Sequence, residues 1–109
     1  MADVLGAFEQ AVLLAMVRLG DAAYGRAILK DVEEHLLRPV APGAVHATLT
    51  RLEARGLVAS RLDAASQDHA GRARRYYRLL PKGVHSLNDA RAAVNYLWQG
   101  IKWPIKGRA

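Results

Sequence analysis

Apolar residues recur at helical spacing along residues 4–19. Beside this stripe lie three more apolar residues, Leu13, Leu14 and Val17. A helix that is apolar nearly all round is buried on more than one side, so we expect its second side to meet another chain. The main stripe consists of Leu5, Phe8, Val12, Met16 and Leu19.

Two further helices are predicted before residue 57. The second covers residues 21–37, with Asp21 as its expected N-cap. The third begins at Pro42, which suits a first helical turn, and ends at Gly56. Their core stripes are Tyr24, Ile28, Val32 and Leu36 in the second helix, and Val45, Leu49 and Leu52 in the third.

The pattern then changes to a period of two, which indicates strands over residues 57–63 and 75–79. The polar residues 64–74 between them predict a hairpin with a long tip. A last helix opens at Pro81, and its apolar positions alternate spacings of three and four. That alternation is typical of a short coiled-coil seam and predicts dimerisation. The seam consists of Leu87, Ala90, Val94, Leu97 and Ile101.

This order of elements predicts a mainly α fold with a small β-hairpin, the winged helix-turn-helix. The second and third helices form the helix-turn-helix, and the hairpin forms the wing. Residues 1–80 are expected to be a DNA-binding domain whose first helix also contributes to the dimer. Residues 81–109 are expected to be a C-terminal dimerisation helix and tail.

Charge is unevenly distributed over the chain. The 109 residues carry a formal net charge of +6. Residues 1–37 hold three basic and six acidic residues, a net of −3, so the remainder carries +9. A positive field on one part of a small domain favours a polyanionic partner, although a solvated basic surface gives the same count.

Several classes of protein are not expected. The chain has no cysteine, which excludes disulfides and thiolate metal sites. His35, His46, His69 and His85 share no metal-ligand spacing, so no metal site is predicted. No catalytic motif or Gly-rich phosphate loop is present, and we expect neither an enzyme nor a cofactor. The longest apolar run, residues 11–17, is too short to cross a bilayer. The N-terminal residues do not have the pattern of a signal peptide, so we expect the protein in the cytoplasm.

The outer face of the third helix is the first candidate DNA-binding surface. Small residues allow a helix to approach a surface closely, and Thr, His and Arg side chains offer donors to phosphates and base edges. Arg51 has an alternative interpretation as a partner of Glu53 or Glu33 in a surface ion pair. The candidate residues are Gly43, His46, Ala47, Thr50 and Arg51, with Arg55 further along the same face.

The hairpin tip is the second candidate. It ends in the basic run that contains Arg72, Arg74 and Arg75. A flexible basic loop suits a phosphate backbone or a minor groove, while a merely solubilising loop is the alternative. Of the two tyrosines that follow, Tyr77 is expected in the core.

A small-molecule site is a further hypothesis. Trp98 lies beside the seam, where two-fold symmetry would bring two indole rings together. Such a pair, with Val94 and Leu13, could hold a planar aromatic effector. The alternative is that Trp98 is an interface or core aromatic.

Six short runs resemble the PadR family of transcriptional regulators, over roughly residues 5–87. The resemblance implies a homodimeric bacterial repressor that binds palindromic promoter DNA, and some short members respond to drugs. The runs are LAMVRLG at 14–20, AYG at 23–25, PGAVHATL at 42–49, RLE at 51–53, GLV at 56–58 and GRARRYYRL at 71–79.

Three positions depart from the family pattern. His46 stands where the family usually has Tyr, Ala41 where a polar cap is common, and Leu80 where Thr is usual. None of these changes breaks the fold, but the operator sequence does not carry over. A winged helix used only for protein contacts remains the alternative function. That alternative predicts exposed apolar anchors on the third helix.

Overall fold

The computed structural model describes residues 4–67 and 70–107, and it has the predicted order of elements. The helices α2 (Gly25–Leu36) and α3 (Pro42–Ala54) form a helix-turn-helix, and the antiparallel strands β1 (Val58–Gln67) and β2 (Ala73–Leu79) form the wing. Asp68 and His69, at the wing tip, lie outside the described residues. The elements are α1 (Ala7–Leu19), a 3-10 turn (Gly20–Ala22), α2 (Gly25–Leu36), α3 (Pro42–Ala54), β1 (Val58–Gln67), β2 (Ala73–Leu79) and α4 (Pro81–Leu97).

Some boundaries differ from the prediction. Asp21 does not cap α2, because it lies in the 3-10 turn and Tyr24 occupies the N-cap position. Strand β1 continues to Gln67, beyond the predicted end, although the pairing shifts between Asp63 and Gln67. Leu62 shares the period of two with the buried Val58 but is exposed, because the hairpin extends away from the core there.

Helix α1 is the centre of the core. It packs against α2, α3, β2 and α4, so its buried arc is wider than one stripe. The prediction that Leu13 contributes to the effector site is wrong, because its exposed fraction is 0%. Its neighbours Leu14 and Val17 do remain exposed. The buried residues of α1 are Val12, Leu13, Ala15 and Met16, and they pack with Ile28, Val32, Val45, Leu49, Leu52, Leu57, Val58 and Tyr77.

The start of α4 is held against the base of the wing. Leu57 is fully buried; its N–H donates to the Leu52 carbonyl (3.0 Å), and its own carbonyl accepts from Leu80 (2.9 Å). Gly83 comes so close that a Cβ added there would lie 2.3 Å from the Leu57 oxygen. Only glycine permits this approach, which fixes the direction in which α4 leaves the domain.

The second half of α4 extends away from the domain. Leu87 and Ala90 pack against the core, but every described residue from 91 to 107 is exposed. The first half of the predicted seam therefore packs in the core, and the second half is exposed. Its last residue, Ile101, lies beyond the end of the helix. The radius of gyration is 16.2 Å, against about 13 Å for a compact chain of this length. Among the described residues, no helix is both long and apolar enough to span a membrane.

Candidate nucleic-acid interface

Helix α3 separates its residues into two faces. Val45, Leu49 and Leu52 are buried as predicted, and Thr48 is buried beside them. The opposite face is exposed because positions three and four apart share one side of a helix. It carries all five residues predicted from the sequence, namely Gly43, His46, Ala47, Thr50 and Arg51.

Arg51 is oriented within its own helix and has no acidic partner in the described part of the chain. Its Nη2 donates to Thr48 Oγ1 at 3.1 Å. The two acids proposed as alternative partners are engaged elsewhere. Glu53 accepts the backbone N–H of Ser60 (3.0 Å), and Glu33 accepts that of Val40 (3.0 Å). The charge of Arg51 is therefore available on the exposed face.

The first turn of α3 is open to solvent. Pro42 starts the helix, Gly43 is exposed, and a Cβ added at Gly43 would meet nothing within 4 Å. No acidic side chain lies in this turn. The unpaired N–H groups of a helix start carry partial positive charge, so the exposed turn is compatible with a phosphate.

Arg55 does not belong to the exposed face, contrary to the prediction. Its Nη1 donates to Glu9 Oε2 at 2.9 Å, which ties the end of α3 to α1. Glu9 also accepts the N–H of Gly6 (2.9 Å). The Arg55 carbonyl in turn accepts from Lys82 Nζ at the start of α4 (2.9 Å). Arg55 thus joins three helices, a role that no local pattern indicated.

The two strands of the wing present different side chains on their two faces. Tyr77 pairs with Ser60, and Arg75 lies two residues earlier on the same face. Tyr77 is 7% exposed, which confirms the prediction that it lies in the core, and burial raises the pKa of its hydroxyl. Arg75 is exposed, and its Nη1 donates to Ser60 Oγ (3.0 Å), whose hydroxyl contacts Glu53 of α3. Arg75 therefore lies on the side of the wing that faces α3.

Arg74 has a different environment on the opposite face. Its guanidinium carbon lies 4.1 Å from the centroid of the Tyr24 ring. Tyr24 meets Tyr76 edge to face at 5.5 Å, and Arg61 lies 5.1 Å over the Tyr76 ring. Hydrogen bonds with Ser66 and Arg74 lower the pKa of Tyr76. This aromatic cluster was not predicted from the sequence, although the period of two along β2 already separates Arg74 from Arg75.

The remaining tip residue, Arg72, is exposed next to Gly71, whose φ of +81° marks the turn into β2. Among the residues that the structure describes, no three His, Asp or Glu side chains converge as metal ligands.

A second exposed surface, of opposite chemistry, lies between α1 and α4. A groove of about 730 Å³ is lined by Leu14, Val17 and Val84, and a groove of about 540 Å³ on the other flank of α4 includes Leu97. Val94 lines both grooves. Trp98, which is 37% exposed, lines neither of these two grooves.

Comparison with known proteins identifies the family. The sequence profile of the "Transcriptional regulator PadR-like family" matches residues 13–89, which includes α2, α3, both strands and half of α4. The chain belongs to this family. PadR-like proteins are DNA-binding transcriptional regulators rather than enzymes, which agrees with the absence of a catalytic motif in the sequence.

Individual relatives agree with the PadR-like assignment. The chain is 38% identical over 74 residues to "Transcriptional regulator Rv3488" of Mycobacterium tuberculosis, a match that covers 68% of this chain and 64% of that protein. The structure is similar to that of a PadR family transcriptional regulator from Eggerthella lenta, with a TM-score of 0.64 and 30% identity over 83% of this chain and 76% of that one.

A third similarity concerns the fold alone. BpsR of Bordetella bronchiseptica shares 22% identity with this chain, at a TM-score of 0.61, over 94% of this chain and 73% of that one. Its structure is described as showing how 6-hydroxynicotinic acid regulates DNA binding by BpsR. The winged helix-turn-helix predicted from the sequence is confirmed by these structures.

Proposed function

We propose that this PadR-like regulator is a cytoplasmic homodimeric repressor that binds a palindromic operator. Helix α3 enters the major groove, and the wing contacts the flanking backbone or minor groove. The observation that carries the proposal is the outer face of α3. It is exposed, consists of small, polar and basic residues, and its arginine has no acidic partner in the described chain.

On this face each residue has a physical role. His46, Thr50 and Arg51 read base edges, since their side chains offer donors and acceptors outward. The Thr50 hydroxyl donates to the His46 carbonyl (3.0 Å), which fixes the oxygen as an acceptor toward the groove. Gly43 and Ala47 allow the helix to approach the DNA closely. Arg75 and Arg72 extend the positive surface along the wing toward the phosphates.

The alternative, a winged helix that binds only proteins, is disfavoured by the placement of apolar side chains. Such a module needs large apolar anchors on its contact helix. Within the ranges 4–67 and 70–107, the exposed large apolar side chains lie on α1, on α4 and in the segment after α4, with Val4, Leu37 and Leu62 elsewhere. The exposed face of α3 has none of them. This distribution supports contact with nucleic acid through α3.

The same apolar side chains support a homodimer through α1 and α4. Leu14 and Val17 are exposed on α1, and Val94 and Leu97 are 46% and 73% exposed on α4. A second copy that packs its own α4 into the grooves buries these side chains. It also supplies the packing partner that the exposed half of the predicted seam lacks within one protomer. Two-fold symmetry then sets the two α3 helices about one DNA turn, roughly 10 bp, apart.

The decisive experiment is selection of bound fragments from a random DNA pool with the full chain. We expect enrichment of a palindrome whose half-sites are about 10 bp apart. Fluorescence anisotropy on the selected site should give a log–log salt slope of roughly −7 if each protomer neutralises about four phosphates. Failure to enrich any sequence, or a flat salt response, would contradict the proposal and favour the protein-binding module.

The proposal also includes a small-molecule effector that binds at the dimer interface. Two Trp98 rings meeting across the two-fold axis, close to Val94, form a site for a planar aromatic molecule. Leu14 replaces Leu13 in this site, since only Leu14 reaches the surface. The regulation of BpsR by 6-hydroxynicotinic acid is a precedent on the same fold. A panel of planar compounds should quench tryptophan fluorescence in Trp103→Phe but not in Trp98→Phe; equal quenching in both variants contradicts the site.

A further inference from the structure

The wing contacts the rest of the domain at Ser60, which bonds to Glu53 of α3, and at the short segment Ala23–Tyr24, which leads into α2. The N–H of Tyr77 in β2 donates to the Ala23 carbonyl at 2.8 Å. Tyr24 and Tyr76 form an isolated antiparallel bridge beside it. The angle between the wing and α2 therefore depends in part on the contacts that hold this joint, which we define as Ala23, Tyr24, Tyr76 and Tyr77.

Arg74 closes the joint from the outer face of the wing. Its guanidinium lies 4.1 Å over the Tyr24 ring, and the edge of that ring contacts Tyr76. The Nε atom of Arg74 is buried and has no hydrogen-bond partner among the residues that the structure describes. A guanidinium stacked on an aromatic ring gains cation–π attraction at the expense of contact with water. Arg75, the next residue, is exposed and lies on the side of α3.

We propose that Arg74 is a positioning residue, which sets the angle of the wing by stacking on Tyr24, while its neighbours Arg72 and Arg75 supply the charge that meets the phosphates. The expected effect on operator binding rests on the proposed DNA-binding function. The stacking of Arg74 on Tyr24 is present in the protein without DNA.

The salt dependence of binding separates the two roles. A residue that neutralises a phosphate contributes about 0.9 to the log–log salt slope, or about 1.8 for the two protomers of a dimer. A residue that only positions the wing changes the affinity and leaves the slope unchanged. Arg75→Ala is thus expected to reduce the slope by about 1.8, whereas Arg74→Ala is expected to weaken binding at constant slope.

The first arm of the test uses the protein without DNA. Hydrogen exchange of the Tyr77 amide should be about 2- to 30-fold faster in Arg74→Ala and Tyr24→Leu, since the cation–π contact is lost. Tyr24→Phe keeps the ring, and Arg75→Ala keeps the stack, so both should exchange as the wild type does. Equal exchange in Arg74→Ala and Arg75→Ala would overturn the proposal.

The second arm measures operator binding by the same variants. Arg74→Ala and Tyr24→Leu should each weaken binding at unchanged slope, and the double variant should be no weaker than the worse single one, because both remove one contact. Arg74→Lys, which keeps the charge, should still lose affinity because an ammonium does not stack as a guanidinium does. A slope reduced in Arg74→Ala, or full affinity in Arg74→Lys, would overturn the role.

The two arms also keep this inference apart from the proposed function. If the wild type bound no DNA, the proposed function would fail, and the exchange rates would still decide whether Arg74 holds the wing.

Discussion

Two surfaces of this small domain are exposed, and they differ in chemistry. The outer face of α3, with Arg75 of the wing beside it, carries small, polar and basic residues. The grooves on either flank of α4 are lined mainly by apolar side chains such as Leu14, Val84 and Val94. The first surface suits a polyanion, and the second suits another copy of the same apolar surface.

The difference follows from how little a chain of this length can enclose. About half of its residues are hydrophobic, yet a domain of this size buries only roughly two thirds of its unfolded surface. Other elements pack against α1 on several sides. By contrast, α3 buries only one face in the core, and α4 packs against the core only at its first half. The leftover surfaces are then free to serve two partners, and the following changes separate them.

The largest effect is expected from Val94→Asp, which introduces a charge where both grooves meet. A carboxylate buried in an apolar interface is costly, so dimer affinity should fall by at least about 2 kcal/mol, or some 30-fold. Light scattering should detect monomer, and operator binding should weaken in parallel. Ala92→Asp, which introduces the same charge outside both grooves, is the control. A dimer that survives Val94→Asp unchanged would disprove the assignment of this surface.

Gly83→Ala tests the close contact between Gly83 and Leu57, which directs α4 away from the wing. The new methyl would lie 2.3 Å from the Leu57 carbonyl oxygen, and that backbone atom cannot give way easily. Overpacking of this kind costs about 1–3 kcal/mol in the free energy of unfolding, which urea denaturation measures. A variant as stable as the wild type would contradict the close approach of the two segments.

Arg51→Ala addresses the polar surface alone. Loss of a bidentate contact to a base should weaken operator binding by about 1–3 kcal/mol, without change in the oligomeric state or in the midpoint of unfolding. Lys30→Ala, which removes one positive charge from the exposed side of α2, is the matched control for net charge. If both variants bind equally well, α3 does not read the operator through Arg51.

The smallest effect is expected from Gly43→Ala, which should raise the stability of the protein but lower its affinity for the operator. The added methyl meets nothing within 4 Å, and Ala is favoured over Gly in a helix, so stability should rise by about 0.5–1 kcal/mol. Operator affinity should fall, because the methyl lies between the start of α3 and the DNA. Unchanged affinity in anisotropy measurements would show that the backbone does not approach the duplex there.

Local patterns were sufficient for much of the fold. The period of 3.6 located α1 to α4 within a few residues, and Pro42 and Pro81 marked two helix starts correctly. The exposed face of α3 also followed from spacing, because a helix places i, i+3 and i+4 together whatever surrounds it. The match to the PadR-like family then gave the class of function.

Other features depend on contacts between distant segments. Leu13 is apolar in either environment, and only the packing of four neighbouring elements around α1 decided that it is buried. Arg55 is basic and lies in helical phase with the exposed face, yet Glu9, 46 residues away in sequence, draws it to α1. Spacing along one helix cannot reveal such a partner.

The amino-acid sequence by itself determined which segments are helices and strands, because hydrophobic periodicity and proline act within a few residues. The tertiary structure decided how each arginine is used. Arg74 and Arg75 are adjacent and chemically identical, but one stacks on Tyr24 and the other lies beside α3. That division arises because successive side chains of a strand point to opposite faces, and only folding determines what each face meets.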